Sequence, residues 1–266
     1  VELNGRTALL TGATGGLGNA IAKALADRGA KLVLSARRAE ALESLAAQLP
    51  GEGHRAVPAD LGEEGGALGL IAEAGDVDIL VANAGLPGTG QVSDFSVEEM
   101  QRALRVNLEG PMLMARELVP RMRERGAGHL VFVSSLAGKA PAARSAVYNA
   151  TKFGLRGFAF GLRADLPGTG VGSSVVSPGF IRDAGMFADA GGKAPAGLGT
   201  SSPEDVAAAV VRAIEADKHE IVVAPLRTRA LSHLGLATPG LAIKMAGGST
   251  GTKAASDLAA RQTDKR

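Results

Sequence analysis

At 266 residues the chain has the length of one large α/β domain or two small ones, enough to bury a substantial core without staples. Hydrophobic residues make up 45% against 21% charged, which excludes a disordered chain, and a formal charge of only +2 argues against nucleic acid as a partner. The absence of cysteine excludes disulfides and thiolate metal sites and fits a reducing, cytoplasmic setting.

Aromatics are scarce at 3%, so the core must be built from Ala, Leu and Val, with 37 glycines allowing close packing. The first residues, Val-Glu-Leu-Asn-Gly, do not read as a signal peptide. No apolar run reaches the roughly 20 residues needed to span a bilayer, so no transmembrane segment is expected.

In chain order, short strand-like runs fall at Thr7–Leu10, Leu32–Leu34, around Val57, at Val77–Ala82, Leu130–Val133, Val171–Val176 and Ile221–Val223. Amphipathic stretches between them predict helices over Leu17–Arg28, Ala39–Gln48, Val97–Arg125, Ala146–Asp165 and Pro203–Asp217. This alternation implies βαβ units and a parallel sheet covered on both faces. Ser96 with Glu99, and Ser202 with Pro203 and Asp205, are helix-start signals. Pro111 and Pro120 predict a bend in the long Val97–Arg125 span, whose Arg121, Arg123 and Arg125 suit a helix C-terminus. The Gly/Ala-rich stretch 184–202 is poorly periodic and reads as a lid over a site, with Met186 and Phe187 hinting at an apolar substrate.

Two features carry chemistry. The run Thr11-Gly12-Ala13-Thr14-Gly15-Gly16-Leu17-Gly18 lies between the first strand and the first helix. Glycines there let a pyrophosphate approach the backbone, and the helix N-terminus supplies free N–H groups. Further on, Tyr148, the only tyrosine, is followed four residues later by Lys152. On a helix the two share a face, with Cβ atoms roughly 5–6 Å apart. A nearby ammonium is expected to lower a phenol's pKa from about 10 and make it a usable acid or base.

The spacing Thr-Gly-x-x-x-Gly-x-Gly, together with Tyr148 and Lys152, resembles the short-chain dehydrogenase/reductase family. Other landmarks fall in order: Asn83-Ala84-Gly85 after the fourth strand, Asn107 on the long helix, Ser135 thirteen residues before Tyr148, and Pro178-Gly179 after the sixth strand. The resemblance spans about Asn4 to Val223. It implies a doubly wound Rossmann fold of about seven strands in the order 3-2-1-4-5-6-7. Residues 1–225 would form the dinucleotide-binding and catalytic domain, and 226–266 a C-terminal extension.

The resemblance also implies roles. Tyr148 would exchange the proton, Lys152 would lower its pKa and hold the nicotinamide ribose, and Ser135 would bond the substrate oxygen. Asn107 would bend its helix and hold a water linking Lys152 to solvent. Ser134 is the alternative to Ser135, and a pure kink residue the alternative for Asn107. The cofactor would lie along Gly12, Thr14, Gly16, Leu17, Gly18, Asn83, Ala84, Gly85, Pro178, Gly179 and Ile181, with Asp60 and Leu61 at the adenine. At the end of the second strand Ala36 stands where an acidic residue would bond the ribose of NAD. Arg37 and Arg38 follow it and suit a 2′-phosphate, so NADP(H) is favoured.

The implied activity is interconversion of a carbonyl and a secondary alcohol, in a homodimer or homotetramer acting on a small molecule. The alternative is a catalytically silent dinucleotide-binding sensor or scaffold. Epimerisation or dehydration of a sugar nucleotide usually needs a larger substrate domain than the residues after Pro178 allow. Two departures from the family stand out. Asp183 replaces a threonine that bonds the nicotinamide carboxamide, and Glu220–Pro225 replaces an Asp-Gly-Gly end found in acyl-carrier ketoreductases. His54, His129, His219 and His233 have no metal-ligand spacing, so no metal is expected. The apolar stretch 230–247 is expected to cover the cleft, pack in a subunit interface or lie on a membrane surface, in that order.

Overall fold

The computed structural model describes residues 1–189, 191, 194, 197–248, 261 and 262. Strands β1 (Thr7–Thr11), β2 (Lys31–Ser35), β3 (Arg55–Ala56), β4 (Ile79–Ala82), β5 (Gly128–Val133), β6 (Val171–Pro178) and β7 (Glu220–Val223) form one sheet. All pair in parallel, in the order β3-β2-β1-β4-β5-β6-β7. The doubly wound sheet expected from the sequence is therefore present.

The helices are α1 (Gly16–Ala26), α2 (Ala39–Gln48), α3 (Gly66–Ala74), α4 (Val97–Leu104), α5 (Gly110–Glu124), α6 (Ala146–Asp165), α7 (Gly185–Asp189), α8 (Pro203–Glu215), α9 (Leu226–Ala237) and α10 (Pro239–Ala246). Successive strand residues point to opposite faces. Thus Ala8, Leu10 and Val81 pack with α1, α2 and α8, while Leu9, Leu80, Leu130 and Phe132 pack with α3, α5 and α6. Burial of each such Leu or Val contributes about 1.5–3 kcal/mol.

Both predicted helix starts are capping boxes. Ser96 Oγ accepts from the Glu99 N–H at 3.1 Å and Ser202 Oγ from the Asp205 N–H at 3.2 Å. The long predicted helix is interrupted one turn earlier than either proline. Arg105–Glu109 is a π-helical turn directly before Pro111, which has no N–H to give the Asn107 carbonyl. Pro120 lies inside α5. Helix α3 was not expected from the sequence, because Gly65, Gly66 and Gly69 hide its start.

Candidate active site

The site gathers at the carboxyl ends of the strands. The turn after β1 is fixed by contacts that only glycine allows. Gly12 has φ +66°, and a Cβ there would lie 2.8 Å from the Ala84 Cα. A Cβ on Gly18 would meet the Gly12 carbonyl at 2.1 Å. Thr11 ties this turn to the end of β4. Its Oγ1 accepts from the N–H groups of Asn83 and Ala84, both at 3.1 Å. Asn83 Nδ2 in return donates to the carbonyls of Thr11 and Gly12 at 3.0 and 3.3 Å.

Helix α1 starts without a side-chain cap and without an acidic residue in its first turn. Its N-terminal N–H groups and positive dipole end suit a phosphate, so the local chemistry fits the group the motif implies. The segment after Asp183 bears on the same place. A Cβ on Gly16 would sit 2.3 Å from the Ala184 methyl carbon, and one on Gly85 would be 3.8 Å from Met186 Cε. Gln262 Nε2 donates to the Met186 carbonyl at 3.0 Å, so the tail holds this segment. Of the stretch 184–202 expected to form a lid, the Phe187 side chain and residues 190, 192, 193, 195 and 196 lie outside what the structure describes.

Tyr148 and Lys152 share one face of α6. Lys152 is 3% exposed, and its Nζ donates to the Val133 carbonyl at 3.0 Å, 5.7 Å from the Tyr148 ring centre. Ser135, at the end of β5, hydrogen-bonds the Tyr148 hydroxyl, and its Oγ accepts from the Ala137 N–H at 3.1 Å. Ser134 instead turns inward and donates to the Lys152 carbonyl at 3.1 Å. Of the two serines, Ser135 is therefore the one aimed at the tyrosine.

Asn107 sits in the π-helical turn, fully buried. Its Oδ1 accepts from the Leu86 N–H at 2.7 Å, and its Nδ2 donates to the Leu86 carbonyl at 2.9 Å and to Thr151 Oγ1 at 3.3 Å. Both amide protons are used, but Oδ1 keeps a lone pair. A Cβ on Gly85 would lie 3.3 Å from this oxygen and 3.7 Å from Lys152 Nζ.

The expected lowering of the Tyr148 phenol by Lys152 does not hold here. Tyr148 keeps some exposed surface, yet the dense protein around it makes ionisation costly. Burial pushes its pKa up to about 12, and the Ser135 hydrogen bond pulls the other way without prevailing. Burial also brings Lys152 down to about 8. At neutral pH both keep their protons, which suits Tyr148 as a proton donor.

Arg37 and Arg38 project from the end of β2, exposed, and among the described residues neither guanidinium makes a hydrogen bond or a close ion pair, although Arg37 lies near enough to Asp60 to help lower its pKa. Asp60 lies after β3 and is already engaged. Burial raises its pKa, but hydrogen bonds from Arg102 at 2.7 and 3.0 Å and from the Gly62 N–H at 2.8 Å outweigh that and lower it. Leu61 beside it is buried. Gly179 donates to the Val223 carbonyl at 2.9 Å, and Ile181 is 4% exposed and bridges to Ser201. Asp183 has φ +67°, points to solvent and pairs with Arg182 at 3.2 Å. No group of His, Asp or Glu among the described residues is placed to hold a metal.

A cavity of about 530 Å³ adjoins the start of α6, lined by Gln91, Val92, Pro141, Arg144, Asn149 and Phe153 among others, and it excludes Ser135 and Tyr148. It therefore says little about the chemistry of those groups.

Sequence reasoning missed three supports of the site. Thr151 donates to the Tyr148 carbonyl at 2.8 Å. Asn149 Nδ2 donates to the carbonyls of Ala137 and Ala140 at 2.6 and 3.1 Å, lashing the loop after Ser135 to α6. Behind that loop, Lys139 (1% exposed) donates to Glu220 at 2.8 Å, and Arg156 joins the same carboxylate at 2.9 and 3.2 Å. Two polar residues just after Tyr148, Asn149 and Thr151, were the only available signal for the first two.

The short chain dehydrogenase family profile matches residues 6–193. The chain belongs to the short-chain dehydrogenase/reductase family. It is 39% identical over 227 residues to a protein named ketoacyl reductase HetN from Nostoc sp. strain PCC 7120, covering 83% of this chain and 79% of that one. A short-chain dehydrogenase from Sphingobium yanoikuyae, solved in complex with NADPH, superposes with a TM-score of 0.78 at 28% identity. That match covers 89% of this chain and 94% of the other. A 3-ketoacyl-(acyl-carrier-protein) reductase from Brucella melitensis, solved with NADH, gives 0.74 at 27% identity, covering 85% and 99%. The protein is accordingly a dehydrogenase/reductase, an oxidoreductase on a Rossmann fold.

Proposed function

We propose that the protein interconverts a carbonyl and a secondary alcohol with NADP(H), and that Tyr148 is its general acid/base. The observation that carries this reading is the convergence of Ser135, Tyr148 and Lys152 beside a glycine turn that fits a pyrophosphate. When bound, the dinucleotide supplies or accepts the hydride at its nicotinamide ring. The protein does the rest. Tyr148, protonated at neutral pH, donates to the substrate oxygen during reduction, and Ser135 orients that oxygen. Lys152, with one protein partner, has two N–H groups left for ribose hydroxyls. Asn107 holds the floor of the site and offers its spare lone pair to a water leading from Lys152. Thr14, Leu17, Ala84 and Pro178 line the cofactor's path, and Asp60 retains lone pairs for the adenine amine.

Arg37 and Arg38 support NADP(H) over NAD(H), since unpaired guanidiniums favour a 2′-phosphate and no carboxylate stands at Ala36 to repel it. Neighbours solved with NADPH and with NADH both occur, so the arginines carry the preference. The lack of cysteine supports a reducing, cytoplasmic setting for this activity.

The deciding experiment follows NADPH oxidation against a panel of carbonyl compounds, with Tyr148→Phe beside the native protein. Turnover should fall by about 10²–10⁴-fold. NADPH binding, read from nicotinamide fluorescence, should change little. A phenylalanine variant that turns over normally would sink the assignment of Tyr148. Binding without turnover in the native protein would favour the sensor reading.

A further inference from the structure

Helix α9 is inside out. Its buried stripe is Thr228, Ser232 and Gly235, spaced i, i+4, i+7 and small or polar. Thr228 Oγ1 donates to the Leu198 carbonyl, Ser232 Oγ bonds the Arg229 carbonyl at 2.8 Å, and Gly235 lies against Ala140. The exposed surface carries the apolar side chains. Leu226 is 81% exposed, Leu234 46% and Leu236 41%, and α10 adds Leu241 at 47% and Ile243 at 60%. A helix that folds only onto its own protein buries the reverse set.

The charges on this hairpin have one sign. From Ile221 to Ser256 the sequence has no Asp or Glu, while Arg227, Arg229 and Lys244 are all exposed. None of these three is paired with a carboxylate among the described residues. At about 100° per residue, Leu226, Ala230, His233 and Ala237 lie opposite the buried stripe, and roughly 60–100° to either side Leu234 falls beside Arg227 and Leu236 beside Arg229. An apolar ridge flanked by long cationic side chains can sink its ridge into hydrocarbon while the cations reach the phosphates.

We propose that α9 and α10 form a docking surface for an anionic phospholipid bilayer. A second copy of this chain fits poorly, because a two-fold contact would set the same cations against each other with no carboxylate between them. A protein partner fits less well too. Cores of protein interfaces are enriched in aromatics, and the large exposed apolar side chains of this patch are all aliphatic. No helix among the described residues is long and apolar enough to cross a membrane, so the contact is peripheral. The inference stands apart from the proposed reaction, but the two adjoin. Gly235 and Thr228 rest on Ala140 and Leu198, the loop after Ser135 and the end of the lid.

The test uses the full chain and two sets of vesicles, phosphatidylcholine alone and phosphatidylcholine with an equal part of phosphatidylglycerol. Flotation should carry the protein with the anionic vesicles and leave it behind with the neutral ones, and high salt should release it. Two variants attack different parts of the surface. Arg227→Glu with Arg229→Glu removes the cations, and Leu226→Ser with Ile243→Ser removes the ridge. Each should weaken anionic-vesicle binding by about tenfold or more, with NADPH fluorescence and circular dichroism unchanged as the check on folding. Absent or charge-independent flotation overturns the proposal, as does flotation that both variants leave intact. A change in oligomer size on gel filtration in either variant would assign the face to a second copy, and overturn it as well.

Discussion

Strands β5 and β6 hold a polar cluster at each end, each with a buried heart, His129 and Ser174 at one and Lys152 at the other. Near their amino ends His129 Nε2 lies 2.8 Å from Ser174 Oγ, its Nδ1 lies 3.9 Å from Asp217, and Arg163 grips Asp217 at 2.8 and 2.9 Å. By composition this set of Ser, His and Asp resembles hydrolytic machinery. It is closed, however. Ser174 is fully buried and donates onward to the Lys218 carbonyl at 2.5 Å. At the carboxyl ends the arrangement is open: Lys152 has one backbone partner, and Ser135 and Tyr148 both keep exposed surface. The difference separates structure from chemistry. A cluster whose capacity is spent internally holds the fold, and one with donors to spare can bind and react.

The sharpest way to break that contrast is at Lys152. Lys152→Met should lower turnover by about 10³-fold and weaken dinucleotide binding, since it removes both a charge and two free donors. Equal replacement at the closed end, Ser174→Ala, should leave turnover within about twofold and act on stability alone, by about 1–3 kcal/mol. Stopped-flow kinetics and thermal melts of the two variants read the comparison directly. Comparable losses of turnover in both would erase the distinction.

Next in size is Glu220. Burial pushes its pKa up, but hydrogen bonds from Arg156 and Lys139 outweigh it and hold the carboxyl at about 2. Glu220→Gln strands the buried Lys139 ammonium, and loss of one partner of a buried pair costs about 3–5 kcal/mol. Denaturant melts should show it. Adding Lys139→Met should restore part of the loss, because the stranded charge disappears. A third effect is confined to the adenosine end. Arg37→Ala with Arg38→Ala should weaken NADPH by about 10–100-fold, the scale of two charge-assisted contacts, and leave NADH within about twofold. Equal weakening of both dinucleotides would remove the 2′-phosphate from the argument.

What was legible in the sequence was local. Tyr148 and Lys152 announce themselves because one helix repeat sets their spacing, and the glycine turn because strand, turn and helix are consecutive. Asn83, by contrast, was legible only as a cofactor contact, and the bracing of the Thr11 and Gly12 carbonyls by its Nδ2 was not. The Lys139–Glu220 pair joins residues 81 apart in sequence, so no window along the chain contains it. The tyrosine's pKa went the other way from its expectation because spacing brings an ammonium near but does not reveal the cost of burial. The inverted face of α9 was hidden for a related reason: which side of a helix is inner depends on Ala140 and Leu198, which are remote in sequence.

A further effect lies in the amino-end cluster, and pH exposes it. Burial holds His129 down to about 4, against a smaller upward pull from Asp217. Between pH 6.5 and 4 the unfolded chain therefore binds this proton and the native protein does not. Stability falls as the pH drops through that window, by at most about 1.4 kcal/mol per pH unit from this site. Glu220 acts lower down. Its contribution is complete above pH 4.5 and drains away as the pH falls towards 2. A native protein with both groups should thus lose stability in two overlapping stages on acidification. His129→Asn, which keeps a polar group near Ser174 but cannot titrate, should flatten the upper stage and leave the lower one in place. Urea melts at half-unit pH steps would show it. An unchanged slope between pH 6.5 and 4 in the asparagine variant would mean that His129 is charged in the native protein, and that the amino-end cluster is less closed than its hydrogen bonds indicate.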